Sequence, residues 1–413
     1  MLAVSTPPEV PMTLTRRTFV AGLAAAAVVR PRGLVAAPPA PPQMEGRFDP
    51  WVEVDAAALL ENAATLSRLA GGRTLLAVVK NNAYGLGWAE AARVLERSPH
   101  VEGFAVVKTA AAHALRDAGV AKPVLLMAVF ADADGPDLVR RDVSLALATD
   151  QGVAHAAGLA RRTGRTVGVH FYVDTGMGRM GVPAYRALPW VLEAKQAPGL
   201  RVDGMFCALT EDPDFDPEQV RRLTDLADAA RTQGAEVGRL HAASSHAVFN
   251  YAGAHLDLVR PGISLFGGYP TDAGGERDIA PLKCAVRLRA RVVRVERLRP
   301  GDGVSYGRNY VADRPVWTAT LPVGHTDGYP RQAVRGARVL IGGGLYPVIG
   351  AVSASHTIVE LGDETAVKVG DVATLLGPDA PDIEPNRLAV ATGTSVYDRF
   401  MHLNPLLPRV VTG

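Results

Sequence analysis

Short apolar runs alternate with helix-forming stretches through most of this chain, and that alternation limits its possible folds more than any other feature. The first run, residues 75–79, is apolar throughout rather than at every second residue, which is typical of a parallel strand buried on both faces. The eight runs that we predict as strands are residues 75–79, 103–107, 123–127, 144–148, 167–173, 202–206, 238–241 and 257–259. Helices are predicted between them, including residues 88–96, 108–118, 152–162 and 217–233. Eight strands that alternate with helices over about 210 residues predict an α/β fold of the (β/α)8 TIM-barrel type.

A different pattern begins near Gly274. From Val286 to Val292 apolar residues alternate with arginines, as expected for an antiparallel strand with one buried face. Further strands are predicted at residues 317–323, 337–341, 346–352, 357–361 and 372–376. We therefore predict a barrel domain over residues 46–274 and a C-terminal all-β domain over residues 275–413. Before the first barrel strand, a short strand at 51–54 and a helix capped by Asp55 are predicted.

Residues 1–45 are predicted to be an export signal and a linker. The pair Arg16–Arg17 precedes a short apolar segment, residues 20–29, and a Pro/Ala-rich stretch follows. This order is typical of the twin-arginine signals that send folded bacterial proteins to the periplasm. The apolar segment is too short for a stable membrane anchor. Met12 would give a more compact signal than Met1, and residues 35–37 are the candidate cleavage region.

The charge balance and the cysteine count exclude several classes of function. The formal net charge is only +2, and no run of lysine and arginine occurs, so nucleic acid is not an expected partner. The two cysteines, Cys207 and Cys284, cannot form a disulfide framework, and no metal site is predicted. A small-molecule substrate is the expected partner.

Lys80 directly follows the first predicted barrel strand, where barrels carry their catalytic residues. A partly desolvated amine there loses its proton more easily and can form a Schiff base. Taken alone, Lys80 fits better with a lysine that merely extends from a strand end to solvent. Polar turns after the fifth, seventh and eighth strands instead favour a reactive lysine. These turns are residues 174–181, 241–245 and 260–264. Hydroxyls and backbone amides after strands seven and eight are typical of a barrel phosphate site, and a reactive lysine beside such a site suggests pyridoxal phosphate.

Six motifs extend this hypothesis to a family. In chain order they are AVVKNNAYGLG, DTGMGRMG, HAASS, VRPGISLFG, VSYGRNY and LPVGHTDGYPR. Together they strongly resemble the alanine racemase family of fold-type III pyridoxal-phosphate enzymes, over nearly the whole chain after the predicted signal. The resemblance implies an isomerase that racemises an amino acid, and a homodimer with shared active sites.

The resemblance also implies a role for each matching residue. Lys80 would bind the cofactor as a Schiff base and act as one acid/base, while Tyr306 would be the second, reaching into the partner subunit's site. Arg260 would face the pyridine nitrogen, and Arg179 would lie near the phenolic oxygen and the substrate carboxylate. The residues implied to contact the phosphate are Tyr84, Ser245, Gly262 and Ile263, with Tyr397 as an addition.

The chemistry accounts for these residue types. Racemisation removes the α-proton on one face and returns it on the other, so it needs two bases on opposite faces. An arginine at the pyridine nitrogen keeps that nitrogen unprotonated, which limits the lifetime of the carbanion and favours racemisation over transamination.

The chain departs from the family mainly around the substrate. Tyr172 stands where the family usually has a lysine that supports Arg179, and the cofactor-stacking histidine is replaced at or near Ala208. The other departures are Ser244, His325, Ala351, Ala354 and Ser355, of which Ala354 and Ser355 belong to the implied substrate region. His246 and His356 are either substrate contacts or, as the better-supported reading, ordinary partly buried histidines.

These departures put smaller and differently polar side chains on the pocket wall. The enlarged pocket suggests a substrate other than alanine, or a substrate range broader than alanine. Two alternatives remain open at this stage. One is an enzyme of the same fold with different chemistry, such as a decarboxylase or lyase. The other is a catalytically silent protein that binds the cofactor or an amino acid.

Overall fold

The computed structural model describes residues 38–272 and 274–413, and it contains two large sheets and one small two-stranded sheet. The predicted twin-arginine segment lies outside these residues. Within them, no helix is long and apolar enough to cross a membrane. The helices are α1 Ala56–Leu69, α2 Lys80–Tyr84, α3 Trp88–Leu95, α4 Thr109–Asp117, α5 Gly135–Arg140, α6 Gly152–Thr163, α7 Ala187–Glu193, α8 Asp216–Thr232, α9 Ser245–Asn250, α10 Pro385–Thr392 and α11 Val396–Met401. The strands are β1 Trp51–Asp55, β2 Leu75–Val78, β3 Val101–Val106, β4 Val124–Leu126, β5 Val143–Leu147, β6 Val167–Asp174, β7 Val182–Pro183, β8 Leu200–Phe206, β9 Arg239–His241, β10 Val286–Arg291, β11 Arg294–Leu298, β12 Gly303–Val304, β13 Tyr310–Val311, β14 Val316–Leu321, β15 Arg338–Ile341, β16 Gly344–Ile349, β17 Thr357–Gly362, β18 Val372–Leu376 and β19 Arg409–Thr412.

The first sheet is the predicted parallel barrel. Its strands pair in the order β2-β3-β4-β5-β6-β8-β9, with the two-residue β7 beside β6. The predicted eighth strand is reduced to one parallel bridge between Val259 and Leu75. Leu76 N donates to Val259 O at 2.9 Å and Val78 N to Pro261 O at 2.9 Å, so this segment closes the barrel against β2. Pro261 has no N–H to donate, which limits a regular ladder there.

The second sheet is mostly antiparallel and has nine strands, in the order β11-β14-β17-β16-β15-β18-β10-β1-β19. Thus β1, the strand predicted at 51–54, pairs with β10 and β19 rather than with the barrel. The predicted cap of α1 is present, since the Asp55 carboxylate accepts from Ala58 N at 2.9 Å. The fold class predicted from the sequence is confirmed.

Two short helices, α10 and α11, accompany the second sheet and were not predicted. α11 begins with a capping box formed by Ser395 and Asp398. Its other end lies beside α2, where Asn81 Nδ2 donates to Met401 Sδ at 3.3 Å. α11 therefore carries its side chains, including Tyr397, to the C-terminal end of the barrel.

The end of the predicted linker packs on the nine-stranded sheet. Arg289 is fully buried and donates to the carbonyl oxygens of Pro38, at 2.8 Å, and Pro39, at 3.3 Å. It also binds the buried Glu53 carboxylate at 3.1 Å. The chain from Pro38 onward is therefore part of the folded body.

Candidate active site

A cavity of about 580 Å³ lies at the C-terminal ends of the barrel strands. All eight residues predicted to bind the cofactor line it: Lys80, Tyr84, Arg179, Ser245, Arg260, Gly262, Ile263 and Tyr397. The structure thus brings together side chains from the turns after β2, β6 and β9 and from α11.

Lys80 is positioned by an unusual turn. The four residues Asn81 to Tyr84 all have positive φ values, 53°, 58°, 51° and 53°, and so form one left-handed turn directly after β2. Such a run is costly for residues with a Cβ and persists only where its surroundings fix it. Trp88 supplies part of that support, because its backbone N donates to Asn82 Oδ1 at 3.2 Å and its Nε1 to Val79 O at 3.0 Å.

The amine of Lys80 is partly buried in the cavity. Burial lowers its pKa from the ordinary value, the Arg179 guanidinium lowers it further, and the Glu211 carboxylate opposes both effects. A larger fraction of neutral amine is therefore present near neutral pH than for a surface lysine.

Tyr84, Gly262 and Ser245 form a tight polar corner of the cavity. A Cβ on Gly262 would overlap the hydroxyl of Tyr84, so this close approach requires glycine. Ser245 Oγ accepts from Gly262 N at 2.9 Å and from Ser264 N at 3.3 Å. Burial, and then the neighbouring Tyr397 and Glu211, raise the pKa of Tyr84, which therefore stays a neutral donor.

Arg260 is buried, and it binds only neutral groups. Its Nη1 donates to His241 Nδ1 at 2.9 Å and to His241 O at 2.6 Å, and its Nη2 donates to the carbonyls of Cys207, at 2.7 Å, and Ala242, at 3.1 Å. Among the described residues no carboxylate pairs with it. Arg260 therefore keeps an uncompensated positive charge at the cavity wall, although burial lowers its pKa.

A second histidine extends this contact. His241 lies 3.0 Å, Nε2 to Nδ1, from His170. Burial lowers the pKa of His170 to about 4. It lowers the pKa of His241 well below the ordinary value, with the charge of Arg260 adding to the effect. Both imidazoles are therefore neutral near pH 7.

Among the lining residues that the sequence analysis did not identify, Phe206 and Glu211 bring an aromatic ring and a charge to the cavity wall. The Phe206 ring stacks on His241 at 5.0 Å and lies 4.3 Å from the Tyr172 ring, centroid to centroid. The Arg260 guanidinium lies over Phe206 at 5.1 Å. Ala208, near which we predicted the replaced histidine, is not among the lining residues, so the aromatic side chain at this wall is Phe206. Phe206 is the last residue of barrel strand β8 and Glu211 lies in the turn after it, and that position was the signal available in the sequence.

Tyr306 and Ala354 lie away from the cavity of their own chain. The Tyr306 side chain is 78% exposed on a turn with positive φ at Ser305, Gly307 and Arg308. Ala354 is exposed, and its carbonyl accepts from Thr326 N at 3.1 Å. The roles predicted for Tyr306 and Ala354 in a second subunit's cavity stay predictions.

Of the other residues at which the chain departs from the family, and of the two histidines considered with them, some line the cavity and some do not. Tyr172 and Ser244 line the cavity, whereas Ala351, Ser355, His325, His246 and His356 do not. His325 Nε2 instead accepts from Arg331 Nη2 at 2.7 Å on the second domain. Among the described residues, no group of three or more His, Cys, Asp or Glu residues could hold a metal ion.

Two family models match the chain. They are described as "Alanine racemase, N-terminal domain", over residues 54–270, and "Alanine racemase, C-terminal domain", over residues 285–411. An alanine racemase of Geobacter sp. (strain M21) is 34% identical over 359 residues, which are 84% of this chain and 94% of that protein. An alanine racemase of Clostridium perfringens (strain SM101 / Type A) is 31% identical over 366 residues, 87% of this chain and 94% of that protein.

Solved structures agree with these matches. The alanine racemase from D-cycloserine-producing Streptomyces lavendulae superposes with a TM-score of 0.82 at 28% identity, covering 89% of this chain and 98% of that one. The Bacillus anthracis alanine racemase with bound L-Ala-P has a TM-score of 0.80 at 26% identity, covering 89% and 95%.

Proposed function

The chain belongs to the alanine racemase family, and from that premise we propose that it interconverts the enantiomers of an amino acid with pyridoxal phosphate bound in the barrel cavity. The observation that carries the proposal is the grouping of three features around one cavity. These are the partly buried amine of Lys80, the tight polar corner of Tyr84, Gly262 and Ser245, and the uncompensated cation of Arg260.

The donor set fits this cofactor. Lys80 supplies the amine that a pyridoxal aldehyde requires. The absence of a Cβ at Gly262 lets the Tyr84 hydroxyl approach the backbone beside Ser245, and these two hydroxyls can donate to a phosphate. Arg260 is already fully engaged through both Nη atoms, which leaves Nε–H as its donor toward the pyridine nitrogen. When bound, the cofactor withdraws electrons from the substrate Cα and makes the α-proton acidic.

The residues of the chain then have to move that proton. Lys80 Nζ takes or returns it on one face of Cα, and the hydroxyl of the partner subunit's Tyr306 acts on the opposite face. The high exposure of Tyr306, on a turn held in positive φ conformations, supports its use by a second subunit. The proposed enzyme is therefore a homodimer with shared active sites.

Arg260 supports racemisation over other reactions at the same carbon. A guanidinium does not give up its proton, so it holds the pyridine nitrogen unprotonated and makes the electron sink moderate. The neutral state of His241 and His170 is consistent with this, because neither group offers a proton in place of Arg260.

The proposal also covers substrate range and location. Tyr172 and Phe206 make an aromatic wall beside Arg260, and with Ala354 they support a range broader than alanine. The Arg16–Arg17 pair and the apolar segment after it support export to the bacterial periplasm through the twin-arginine route.

The test is incubation of the protein and pyridoxal phosphate with single-enantiomer amino acids in deuterated water, followed by chirality and α-deuterium analysis. Inversion together with α-exchange is the expected result. Exchange without inversion would contradict the two-base scheme. Absence of exchange with every amino acid, although the cofactor's visible band is present, would favour a silent binding protein.

A further inference from the structure

Glu211 places a carboxylate on the cavity wall that none of the steps above uses. Its Oε1 accepts from Ser244 Oγ at 3.2 Å, and the side chain is otherwise solvent-accessible. Its negative charge raises the pKa values of Lys80, Tyr84 and Tyr397. The carboxylate therefore faces the same space as the reactive amine.

The backbone at Glu211 is held in place by buried side chains. Its φ is 64°, a left-handed conformation that is uncommon for a glutamate. Its N–H donates to Asp216 Oδ1 at 3.1 Å, and Thr210 N donates to Gln219 Oε1 at 2.8 Å. Asp216 and Gln219 are 2% and 0% exposed, so the beginning of α8 fixes this turn from inside the protein. A strained residue that its surroundings fix beside a cavity is a sign of a functional position.

The same end of α8 also holds the turn that carries Arg179. Gln219 Nε2 donates to Thr175 Oγ1 at 3.3 Å, and Arg222 Nη1 donates to Thr175 O at 2.9 Å. Two turns that carry opposite charges are thus anchored to one rigid element. Within residues 38–272 and 274–413, no ion pair joins Arg179 to Glu211, so each charge remains available to a ligand.

The space between these charges has an apolar lining. Met127, Met177 and Leu209 contribute to the cavity wall. Such a surface suits a methylene chain that ends in a charge, because the stem can be buried while the charged end meets a partner.

We propose that Glu211 is a specificity-determining residue that selects amino acids whose side chain ends in a cation. The inference rests on the proposed racemase function. Arg179 meets the α-carboxylate, the apolar wall holds the methylene stem, and Glu211 pairs with the terminal ammonium or guanidinium.

The test compares cationic substrates with neutral ones of equal length. The kcat/KM values for L-lysine and L-norleucine, and for L-ornithine and L-norvaline, are measured with the wild-type protein and with Glu211→Gln. We expect the wild type to prefer each cationic substrate by about fivefold, as one exposed charge pair of about 1 kcal/mol would give. Glu211→Gln should lose this preference, so that kcat/KM for the cationic substrate of each pair falls relative to the neutral one, while Glu211→Asp should retain part of it.

Asp214→Asn is the matched control. It removes one negative charge three residues away, from an exposed side chain that does not line the cavity. It should leave the preference unchanged. If Asp214→Asn removes the preference as fully as Glu211→Gln does, the effect is one of overall charge and the inference is overturned.

A binding measurement separates this inference from the proposed function. α-Methyl-lysine and α-methylnorleucine lack the α-proton and cannot be racemised, so their dissociation constants follow from the change in the cofactor's absorption. Tighter binding of α-methyl-lysine that depends on Glu211 supports the inference even if no amino acid is racemised. Racemisation of alanine and norleucine without any preference for lysine would overturn the inference and leave the proposed function intact.

Discussion

Nη1 of Arg260 lies 2.9 Å from Nδ1 of His241, and this contact determines which nitrogen of the histidine carries a proton. Since arginine can only donate, Nδ1 must accept, and the proton of His241 is on Nε2. That proton is donated to His170 Nδ1 at 3.0 Å, so His170 is protonated on Nε2. The orientation of the cavity's arginine is therefore set by a chain of two neutral, buried imidazoles.

The two buried histidines predict that the free energy of unfolding decreases in mild acid. The pKa of His170 is lowered to about 4 in the folded protein from 6.5, so the unfolded state binds its proton first as the pH falls. The contribution of His170 is thus fully present above pH 6.5. It decreases as the pH falls through 6.5 toward 4, by about 3 kcal/mol in free energy of unfolding. Urea unfolding at pH 7.5, 6 and 5 measures how steeply the free energy of unfolding depends on pH.

Two histidine substitutions test whether His170 causes this pH dependence. His170→Gln removes the titrating group and should flatten the pH dependence in this window. His155→Gln removes an exposed histidine that pairs with Asp132 and should leave the slope largely unchanged. Equal slopes for His170→Gln and the wild type would show that the acid sensitivity has another origin.

Lys80→Ala should abolish the visible absorption band of the bound cofactor and nearly all turnover, because no other lysine lines the cavity. Lys108 provides the control. It follows the next barrel strand, β3, but is exposed and does not line the cavity, so Lys108→Ala should keep both band and activity. A Lys80→Ala protein that retains the band would contradict the assignment of Lys80 as the cofactor's amine.

Gly262→Ala should weaken cofactor binding by about tenfold or more, because the new Cβ would overlap Tyr84 and displace it from the polar corner. Equilibrium dialysis with pyridoxal phosphate measures the change. Gly275→Ala is the control, since a Cβ there meets no atom within 4 Å and its φ is not positive. Unchanged affinity in Gly262→Ala would mean that the corner does not bind the phosphate.

Much of the fold could be predicted from the sequence because short, mostly apolar runs alternate with helix-forming stretches, as the strands and helices of a barrel do. The pairing of β1 with β10 could not be predicted, since it joins Trp51 to Arg289 across the whole barrel sequence. The left-handed turn after Lys80 was also hidden, because it depends on contacts from Trp88 and Met401 rather than on local preference.

The candidate site was predicted mainly from motifs, so some residues outside the motifs were missed. Seven of the eight predicted cofactor residues lie within the quoted motifs, Tyr397 lies outside them, and all eight line the cavity. Glu211 and Phe206 lie in a segment that departs from the family pattern, so no motif marked them. Only the packing of α8 against the turns reveals that Glu211 faces the cavity.

The proposed sharing of active sites between two subunits predicts a specific result for mixed dimers. Lys80→Ala and Tyr306→Phe should each be nearly inactive as pure proteins. In a mixed dimer, the Tyr306→Phe subunit keeps its own Lys80 and receives an intact tyrosine from the Lys80→Ala subunit, so one of its two sites is complete. Equal mixing with exchange of subunits makes about half of the dimers mixed, and should therefore restore about a quarter of wild-type activity.

The mixing experiment requires unfolding and refolding the two variants together, with each variant refolded alone as the control. Tyr310→Phe serves as the matched tyrosine variant, because Tyr310 follows the same turn but donates to Glu360 at 2.9 Å within its own chain. Mixed with Lys80→Ala, it should add only the activity of its own intact sites. If the Lys80→Ala and Tyr306→Phe mixture stays as inactive as its components, although mixed dimers are demonstrated by mass, Tyr306 does not serve the partner's cavity. Recovery near one quarter is expected, because Tyr306 is exposed in its own chain and lies outside the cavity that Lys80 lines.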